Sequence, residues 1–170
     1  VVNGQKTFIS NGITCDLAVT AVKTDTKADP PHKGISVLLI EAGTPGFSKG
    51  RLLEKTGGHS MDTGELVFED CLVPVENLLG EEGRGFHYLM YNLQQERLIL
   101  AIDAQVAAEY ILEKTIDYCK TRTVFGLPVS SHQHNTFKLV EMATEVEIGR
   151  TFLNSLIEDF IEGKDITMRV

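Results

Sequence analysis

A glutamate and an arginine stand side by side, at Glu96 and Arg97, inside the most apolar helical pattern of the chain. Apolar residues recur at three- and four-residue steps on both sides of the pair, over residues 86–93 and 100–112. Continuing this stripe across the gap requires position 96 or 97 to lie on it. We therefore expect a charge on the inner face of the helix, where charge is most costly.

A carboxylate that faces an apolar interior has a specific chemical use. Burial disfavours its charged form, raises its pKa and makes it a competent base near neutral pH. Adjacent helical residues point about 100° apart, so Arg97 does not simply neutralise Glu96. The residues alone leave a second interpretation open, in which the stripe is broad and positions 94–97 form a solvated rim.

Composition narrows the class of protein. The chain has 170 residues, of which 42% are hydrophobic and 24% charged, as in ordinary globular domains. Its net charge of −8, without a Lys/Arg cluster, argues against a nucleic-acid surface. No apolar run approaches the roughly 20 residues that span a bilayer. We expect free, reduced thiols and no metal site, because the three cysteines and five histidines lack ligand spacing.

The first half of the chain has the pattern of β-strands. Residues 6–10 and 17–23 are predicted strands, and Asn11-Gly12 between them is the strongest short hairpin signal. Further strands are predicted over residues 34–41, 47–54 and 65–73. We expect an antiparallel module that is too small and open to stand alone.

The second half changes to a period of 3.6 residues. One helix is predicted over residues 86–120 and another from 131 or 132 to 162, with Asp165 suited to cap a third. The sequence predicts an α+β fold, with an antiparallel β-domain at 1–78 and long antiparallel helices of a truncated C-terminal bundle at 79–170. Because the chain starts without Met and stops in mid-pattern, we expect it to be a fragment.

Four motifs follow one another along the chain. They are Lys6-Thr7-Phe8-Ile9-Ser10-Asn11-Gly12, Phe68-Glu69-Asp70 with Val73-Pro74, Leu79-Gly80-Glu81-Glu82-Gly83 with Gly85-Phe86, and Arg122 with Phe125-Gly126 and His132-Gln133. In this order and spacing they resemble the acyl-CoA dehydrogenase family over essentially the whole chain. The resemblance implies the second half of that family's middle β-domain, followed by the first part of its C-terminal helical domain.

The resemblance implies FAD as cofactor. The cofactor-binding residues that it implies are Phe8, Ile9, Ser10, Arg122, Phe125 and Gln133. The first three would lie against the flavin, and the last three would reach FAD held by a neighbouring subunit, which implies a homo-oligomer, a tetramer or a dimer. From the residues alone, Phe8 and Ile9 also fit a hairpin core, and Arg122 a solvated cation at a helix end.

The same resemblance gives Glu96 a role. Long-chain and isovaleryl members place a glutamate at this position, and the neighbouring sequence is most similar to the long-chain branch. It implies FAD-dependent α,β-dehydrogenation of fatty acyl-CoA thioesters, with Glu96 as the base. The substrate-binding residues that it implies are His87, Gln94, Gln95 and Arg97.

Partners and compartment follow from the resemblance as well. The electron acceptor would be an electron-transfer flavoprotein, as in dehydrogenases of this family, or dioxygen, as in related oxidases. The compartment would be the mitochondrial matrix of a eukaryote or the cytoplasm of a bacterium. Three alternatives stay open: a short- or branched-chain (isovaleryl-type) dehydrogenase, a catalytic base that lies beyond Val170, and a non-catalytic scaffold member of the family.

Overall fold

The computed structural model describes residues 1–170, which form two compact units, Val1–Leu89 and Met90–Val170. In chain order the elements are β1 Val2–Ser10, β2 Leu17–Lys23, β3 Ile35–Glu41, β4 Phe47–Leu52, β5 Thr63–Cys71, α1 Gly85–Thr121, β6 Thr123–Val124, β7 Leu127–Pro128 and α2 Gln133–Ile161. Short 3-10 turns occur at Pro31–Gly34, Val75–Asn77 and Val129–Ser131. The predicted α+β fold, antiparallel strands followed by two long helices, is confirmed.

The first unit holds two antiparallel sheets, one with the order β1-β5-β4 and one that pairs β2 with β3. The predicted hairpin between residues 6–10 and 17–23 is therefore wrong, because β1 pairs with β5 and not with β2. The turn at Asn11 is tied to the start of β5 instead, since its backbone N–H donates to the carbonyl of Asp62 at 3.1 Å. Six residues also separate β1 from β2, more than a two-residue hairpin allows.

The core of this unit lies where the strands alternate. In β5, Gly64, Leu66 and Phe68 are buried while the residues between them are only half-buried, the two-residue period of a strand with one buried face. Phe68 stacks on Phe47 of β4 with ring centroids 4.9 Å apart. The cluster comprises Ala18, Ile40, Leu66, Phe68 and Cys71. Lys6 links the two sheets, because its Nζ donates to the Ala21 carbonyl at 2.8 Å.

The prediction of free thiols is confirmed. Cys71 and Cys119 are buried, Cys15 is half-buried, and no disulfide joins them. Burial raises the pKa of the Cys71 thiol, so this group stays protonated at neutral pH.

A buried hydroxyl anchors the loop that enters α1. Ser36 is fully buried; its Oγ lies 2.7 Å from Thr24 Oγ1 and accepts the Gly83 N–H at 2.8 Å. Gly83 has φ 77°, and a Cβ there would lie 2.6 Å from the Lys33 carbonyl oxygen. Glycine is therefore required at this point of the loop.

The second unit packs α1 against α2 in antiparallel fashion. Its core is made of Leu98, Leu153, Leu156 and Ile166. Farther along, Gln105 donates to the Val146 carbonyl and to Glu109, which also pairs with Arg150. None of the helices combines the length and the apolarity needed to cross a lipid bilayer.

Asp165 caps a single helical turn at the end of the chain, as the sequence suggested. Its Oδ1 accepts the Thr167 N–H at 2.9 Å, and the Val170 N–H donates to the Ile166 carbonyl at 3.1 Å, four residues back. The buried Ile166 side chain holds this segment against the helix pair.

Candidate functional site

The segment Phe8-Ile9-Ser10 lies at an irregular point of the edge strand β1. The register of β1 on β5 shifts between Lys6 and Ile9, and Phe8 has φ 61°, in the left-handed region. A bulky residue in that region is strained by about 1–3 kcal/mol. Phe8 is also 78% exposed. A strained backbone that presents an uncovered aromatic ring points to a surface built for contact with a ligand.

The three side chains of this segment have different surroundings. Phe8 borders a cavity of about 480 Å³ beside β4, together with Arg51 to Glu54. Ile9 and Ser10 border a second cavity of about 410 Å³ between β1 and β2. Ile9 is half-buried and packs against the core, whereas Ser10 is exposed. The structure therefore places the predicted flavin segment on two separate cavities.

The other three predicted cofactor residues lie on or beside a small hairpin of β6 and β7 in the second unit: Arg122 precedes the hairpin, Phe125 is in its turn, and Gln133 begins α2 after it. The two-residue turn of the hairpin is Phe125-Gly126, with φ 54° and 80°, the positive pair that a type I′ turn requires. Phe125 at the tip is 94% exposed. The sequence predicted only a loop here, because Phe-Gly lacks the Asn or Asp that usually marks this turn.

Hydrogen bonds close this hairpin onto the start of α2. The Val129 N–H donates to the Arg122 carbonyl at 2.8 Å, and His132 Nε2 lies 3.1 Å from the Val124 carbonyl oxygen. Gln133 is the first residue of α2. Arg122 and Gln133 are exposed, and neither side chain has a hydrogen-bond partner within the chain. Their polar groups, and the Phe125 ring, are thus free to meet a ligand.

The structure corrects the predicted orientation of Glu96. Glu96 and Arg97 are exposed, whereas Leu98 is only 4% exposed and packs against α2. Glu96 lies two residues from both Gln94 and Leu98, about 160° away around the helix. The expectation of a carboxylate on the buried face of this helix pair is wrong. The cause is that the inner stripe includes polar residues, among them Gln94, Gln105 and Glu109, which a hydrophobic pattern does not reveal.

The exposed face around Glu96 is nevertheless apolar. Leu93, Ile99 and Leu100 point within about 60° of Glu96 around the helix axis. Leu93 is half-buried, while Ile99 and Leu100 are 55% and 68% exposed. Neither Glu96 nor Arg97 forms an ion pair within the chain. Glu96 thus lies among exposed apolar side chains, with Asp103 two turns farther along the same side of α1, and such an uncovered stripe is the pattern of a contact surface.

The other predicted substrate residues do not all lie beside Glu96. Gln95 and Arg97 are exposed and flank it, each about 100° away. Gln94 is directed elsewhere, since its Oε1 accepts the Ile166 N–H at 3.2 Å. His87 is exposed in the first turn of α1, where its ring meets Tyr88 edge-on at 6.2 Å.

Two family models match the chain. Acyl-CoA dehydrogenase, middle domain, matches residues 1–71, and acyl-CoA dehydrogenase, C-terminal domain, matches residues 83–170. The chain belongs to the acyl-CoA dehydrogenase family. The matched ranges contain all the predicted site residues, while the predicted domain boundary at 78/79 stays a prediction.

Individual relatives agree with this family. The mouse mitochondrial long-chain specific acyl-CoA dehydrogenase is 44% identical over 93% of the chain, and the rice mitochondrial isovaleryl-CoA dehydrogenase is 40% identical over 96%. A crystal structure of acyl-CoA dehydrogenase from Geobacillus kaustophilus matches 98% of the chain with a TM-score of 0.92 and 58% identity. A structure described as the electron transferring flavoprotein of Acidaminococcus fermentans matches 97% with a TM-score of 0.86 and 40% identity.

The chain spans only part of these proteins. It covers 37% of the mouse and 40% of the rice relative, and 44% and 43% of the two solved chains. The family is a flavoprotein family for which FAD is typical. The residues present fit such a group, because they offer exposed aromatic rings at Phe8 and Phe125, a free hydroxyl at Ser10 and a free guanidinium at Arg122.

Proposed function

We propose that the protein containing this chain catalyses FAD-dependent α,β-dehydrogenation of a fatty acyl-CoA thioester, with Glu96 as the base. The observation that carries the proposal is the position of Glu96. Glu96 is the acidic residue set among Leu93, Ile99 and Leu100, with exposed Asp103 two turns farther along the same side of α1, and no cation within the chain pairs with Glu96. An acyl chain seated on this stripe would bring its reacting carbon to the carboxylate.

The reaction breaks two C–H bonds of the substrate, one at the α-carbon and one at the β-carbon. The Glu96 carboxylate takes the proton from the carbon next to the thioester carbonyl, and the electron pair of that bond forms the new double bond. The flavin, when bound, supplies the acceptor for the hydride that leaves the β-carbon. Two electrons and one hydrogen thus leave with the flavin, and one proton leaves with Glu96.

The base must be desolvated to act on so weak a carbon acid. Glu96 is exposed in this chain, so water must be excluded by bound acyl chain and by protein outside residues 1–170. Leu93, Ile99 and Leu100 supply one wall of such an enclosure.

The polar residues that flank Glu96 can bind the CoA part of the substrate. Arg97 carries an unpaired guanidinium, which can meet phosphate or ribose oxygens of CoA. Gln95 is exposed beside Glu96 and stays in the proposed substrate site, whereas His87, exposed nine residues before Glu96 on the opposite side of α1, is kept there on the family resemblance alone. Gln94 is left out, because its amide is used to hold Ile166.

The cofactor contacts come from two places. Phe8 would cover the isoalloxazine, with Ile9 and Ser10 beside it. Arg122, Phe125 and Gln133 would meet FAD held by a second copy of the protein, with Arg122 at the pyrophosphate. This arrangement makes the protein a homo-oligomer, a tetramer or a dimer.

The long-chain branch is proposed for the substrate, with an electron-transfer flavoprotein as electron acceptor. The mouse long-chain relative and the Acidaminococcus structure support these choices. The compartment follows the source: the mitochondrial matrix in a eukaryote, the cytoplasm in a bacterium. The rice isovaleryl-CoA dehydrogenase makes a branched-chain substrate the second candidate, since it is nearly as similar.

Flavin bleaching in the full-length protein tests the proposal. Acyl-CoAs of increasing length are mixed anaerobically with the yellow holoenzyme, and loss of flavin absorbance is followed. Glu96→Gln is expected to slow bleaching by about 10²–10⁴-fold, the usual contribution of a general base. Glu113→Gln, an exposed glutamate later on α1, is the matched control and is expected to bleach at the parent rate.

Two results would count against the proposal. Bleaching by Glu96→Gln at the rate of the control would assign the base to another residue. A full-length protein that holds no flavin would instead favour a non-catalytic member of the family.

A further inference from the structure

Asp62 clamps the turn that follows the proposed flavin segment. Its Oδ2 accepts the Thr14 N–H at 2.9 Å, and its backbone carbonyl accepts the Asn11 N–H at 3.1 Å. One residue thus holds both ends of the turn from Asn11 to Thr14. Asn11 has φ 57°, in the left-handed region that asparagine adopts more readily than other non-glycine residues.

Asp62 lies next in sequence to the β5 residues that pair with Ser10 and Ile9. Ser10 pairs with Thr63, the residue after Asp62, and Ile9 pairs with Gly64. A Cβ at Gly64 would lie 2.4 Å from Ile13 Cδ1, so the turn packs tightly on the start of β5. Movement of Asp62 would therefore move the end of β1 that carries Ser10.

The other oxygen of Asp62 shows that the residue is held at some cost. Asp62 Oδ1 is buried and accepts no hydrogen bond in the chain. A buried acceptor without a partner is unfavourable and rare in native proteins.

We propose that Asp62 is a positioning residue that sets the placement of Phe8, Ile9 and Ser10 against the flavin. The proposal rests on the proposed function, in which these three residues contact FAD. The bulge between Lys6 and Ile9 and the strained Phe8 make the segment easy to displace. On the side that leads to β2, the segment is restrained by the Gly12 N–H, which donates to the Ile9 carbonyl at 3.1 Å, and by the hydrogen bonds of Asp62.

The experiment compares three variants of the full-length holoenzyme. Asp62→Ala removes the acceptor for Thr14, and Asp62→Asn keeps a carbonyl oxygen for it. Asp70→Ala is the matched control, because Asp70 Oδ1 accepts from Asn3 Nδ2 at 3.2 Å near the opposite end of the same strand pair. The FAD dissociation constant, the flavin absorption band and the thermal midpoint are measured for each.

Asp62→Ala is expected to weaken FAD binding by about tenfold and to shift the flavin absorption band. Asp62→Asn is expected to restore FAD affinity to within about twofold of the parent, because the Thr14 hydrogen bond remains. Asp70→Ala is expected to lower the thermal midpoint without moving the band. If Asp62 served stability alone, Asp62→Ala would lower the thermal midpoint, as Asp70→Ala does, and would leave the flavin absorption band at the parent position.

Two further variants separate this inference from the proposed function. If Phe8→Ala or Ser10→Ala changes the flavin band while Asp62→Ala leaves it at the parent position, the role of Asp62 is refuted and the flavin contact stands. If neither Phe8→Ala nor Ser10→Ala changes the band or the affinity, the flavin contact fails and the role of Asp62 fails with it. Should Asp62→Ala not fold, Asp62→Leu, which has no acceptor for the Thr14 N–H, replaces it, and parent-like flavin properties there would overturn the inference.

Discussion

The variants Leu98→Ala and Ile99→Ala test the orientation of α1, because these neighbouring residues lie on its buried and its exposed face. Leu98 is 4% exposed in the core with Leu153, Leu156 and Ile166, whereas Ile99 is 55% exposed. Each substitution removes three carbons, worth about 0.8 kcal/mol apiece when fully buried. At Leu98 this gives about 2.4 kcal/mol, and the cavity that remains raises the cost to about 3 kcal/mol. At Ile99, where about half of the side chain is already in water, we expect about 1 kcal/mol.

The assay is urea denaturation of residues 1–170, followed by helical circular dichroism. The denaturation midpoint is expected to fall for Leu98→Ala by about three times as much as for Ile99→Ala, with similar slopes. In the full-length protein, Ile99→Ala is expected to weaken binding of the acyl chain instead. Equal destabilisation by the two variants, or a larger effect at Ile99, would refute the orientation of α1 and with it the placement of Glu96 on the open face.

Two further predictions concern titration and thiol access. The pKa of Asp159 is lowered by its hydrogen bond from Lys164 and by Arg169. This contribution to stability is present above the ordinary pKa of 3.8 and is lost as the pH falls through the lower folded value. Asp159→Asn is therefore expected to flatten the acid limb of thermal midpoint against pH, and an unchanged limb would contradict this. In alkylation with iodoacetamide at pH 8, half-buried Cys15 is expected to react before Cys71 and Cys119, and faster labelling of Cys71 would contradict its burial and raised pKa.

The sequence predicted the helices well, for a physical reason. The pattern placed α1 at 86–120 and the structure has Gly85–Thr121, because a long apolar period and flanking glycines mark helix ends strongly. The predicted strand bounds were also close to the observed ones, because the alternation of apolar and polar residues, and Pro74, marked the extent of the strands. Element type and extent depend on local sequence, so they are recoverable from it.

The pairing of β1 and the orientation of α1 depend on contacts between residues that are far apart in the sequence. Asn11-Gly12 has the local chemistry of a hairpin, but Asp62, far along the chain, provides the partners for that turn. The inner face of α1 was misassigned because half-buried Gln94 and Gln105 lie on it, held by hydrogen bonds with Ile166 and Val146. Asp62 itself gave no signal in the sequence, since an aspartate before a strand is an ordinary turn residue.

The role of the Phe8 to Ser10 segment came from family resemblance and not from the pattern. Its residues alone fit a core strand, whereas the structure leaves Phe8 exposed and in a left-handed conformation. Strain of this kind is visible only in three dimensions. It supports the flavin contact more directly than the motif does.

The most direct test of Glu96 as the base isolates its proton transfer from the redox step. The full-length holoenzyme is incubated in D₂O with an acyl-CoA thioester whose β-carbon cannot donate a hydride, and deuterium entering the α-carbon is followed by mass spectrometry. Exchange is expected in the parent and in Glu113→Gln, and is expected to fall by at least about 10²-fold in Glu96→Gln. Parent-like exchange in Glu96→Gln would show that another group removes the proton.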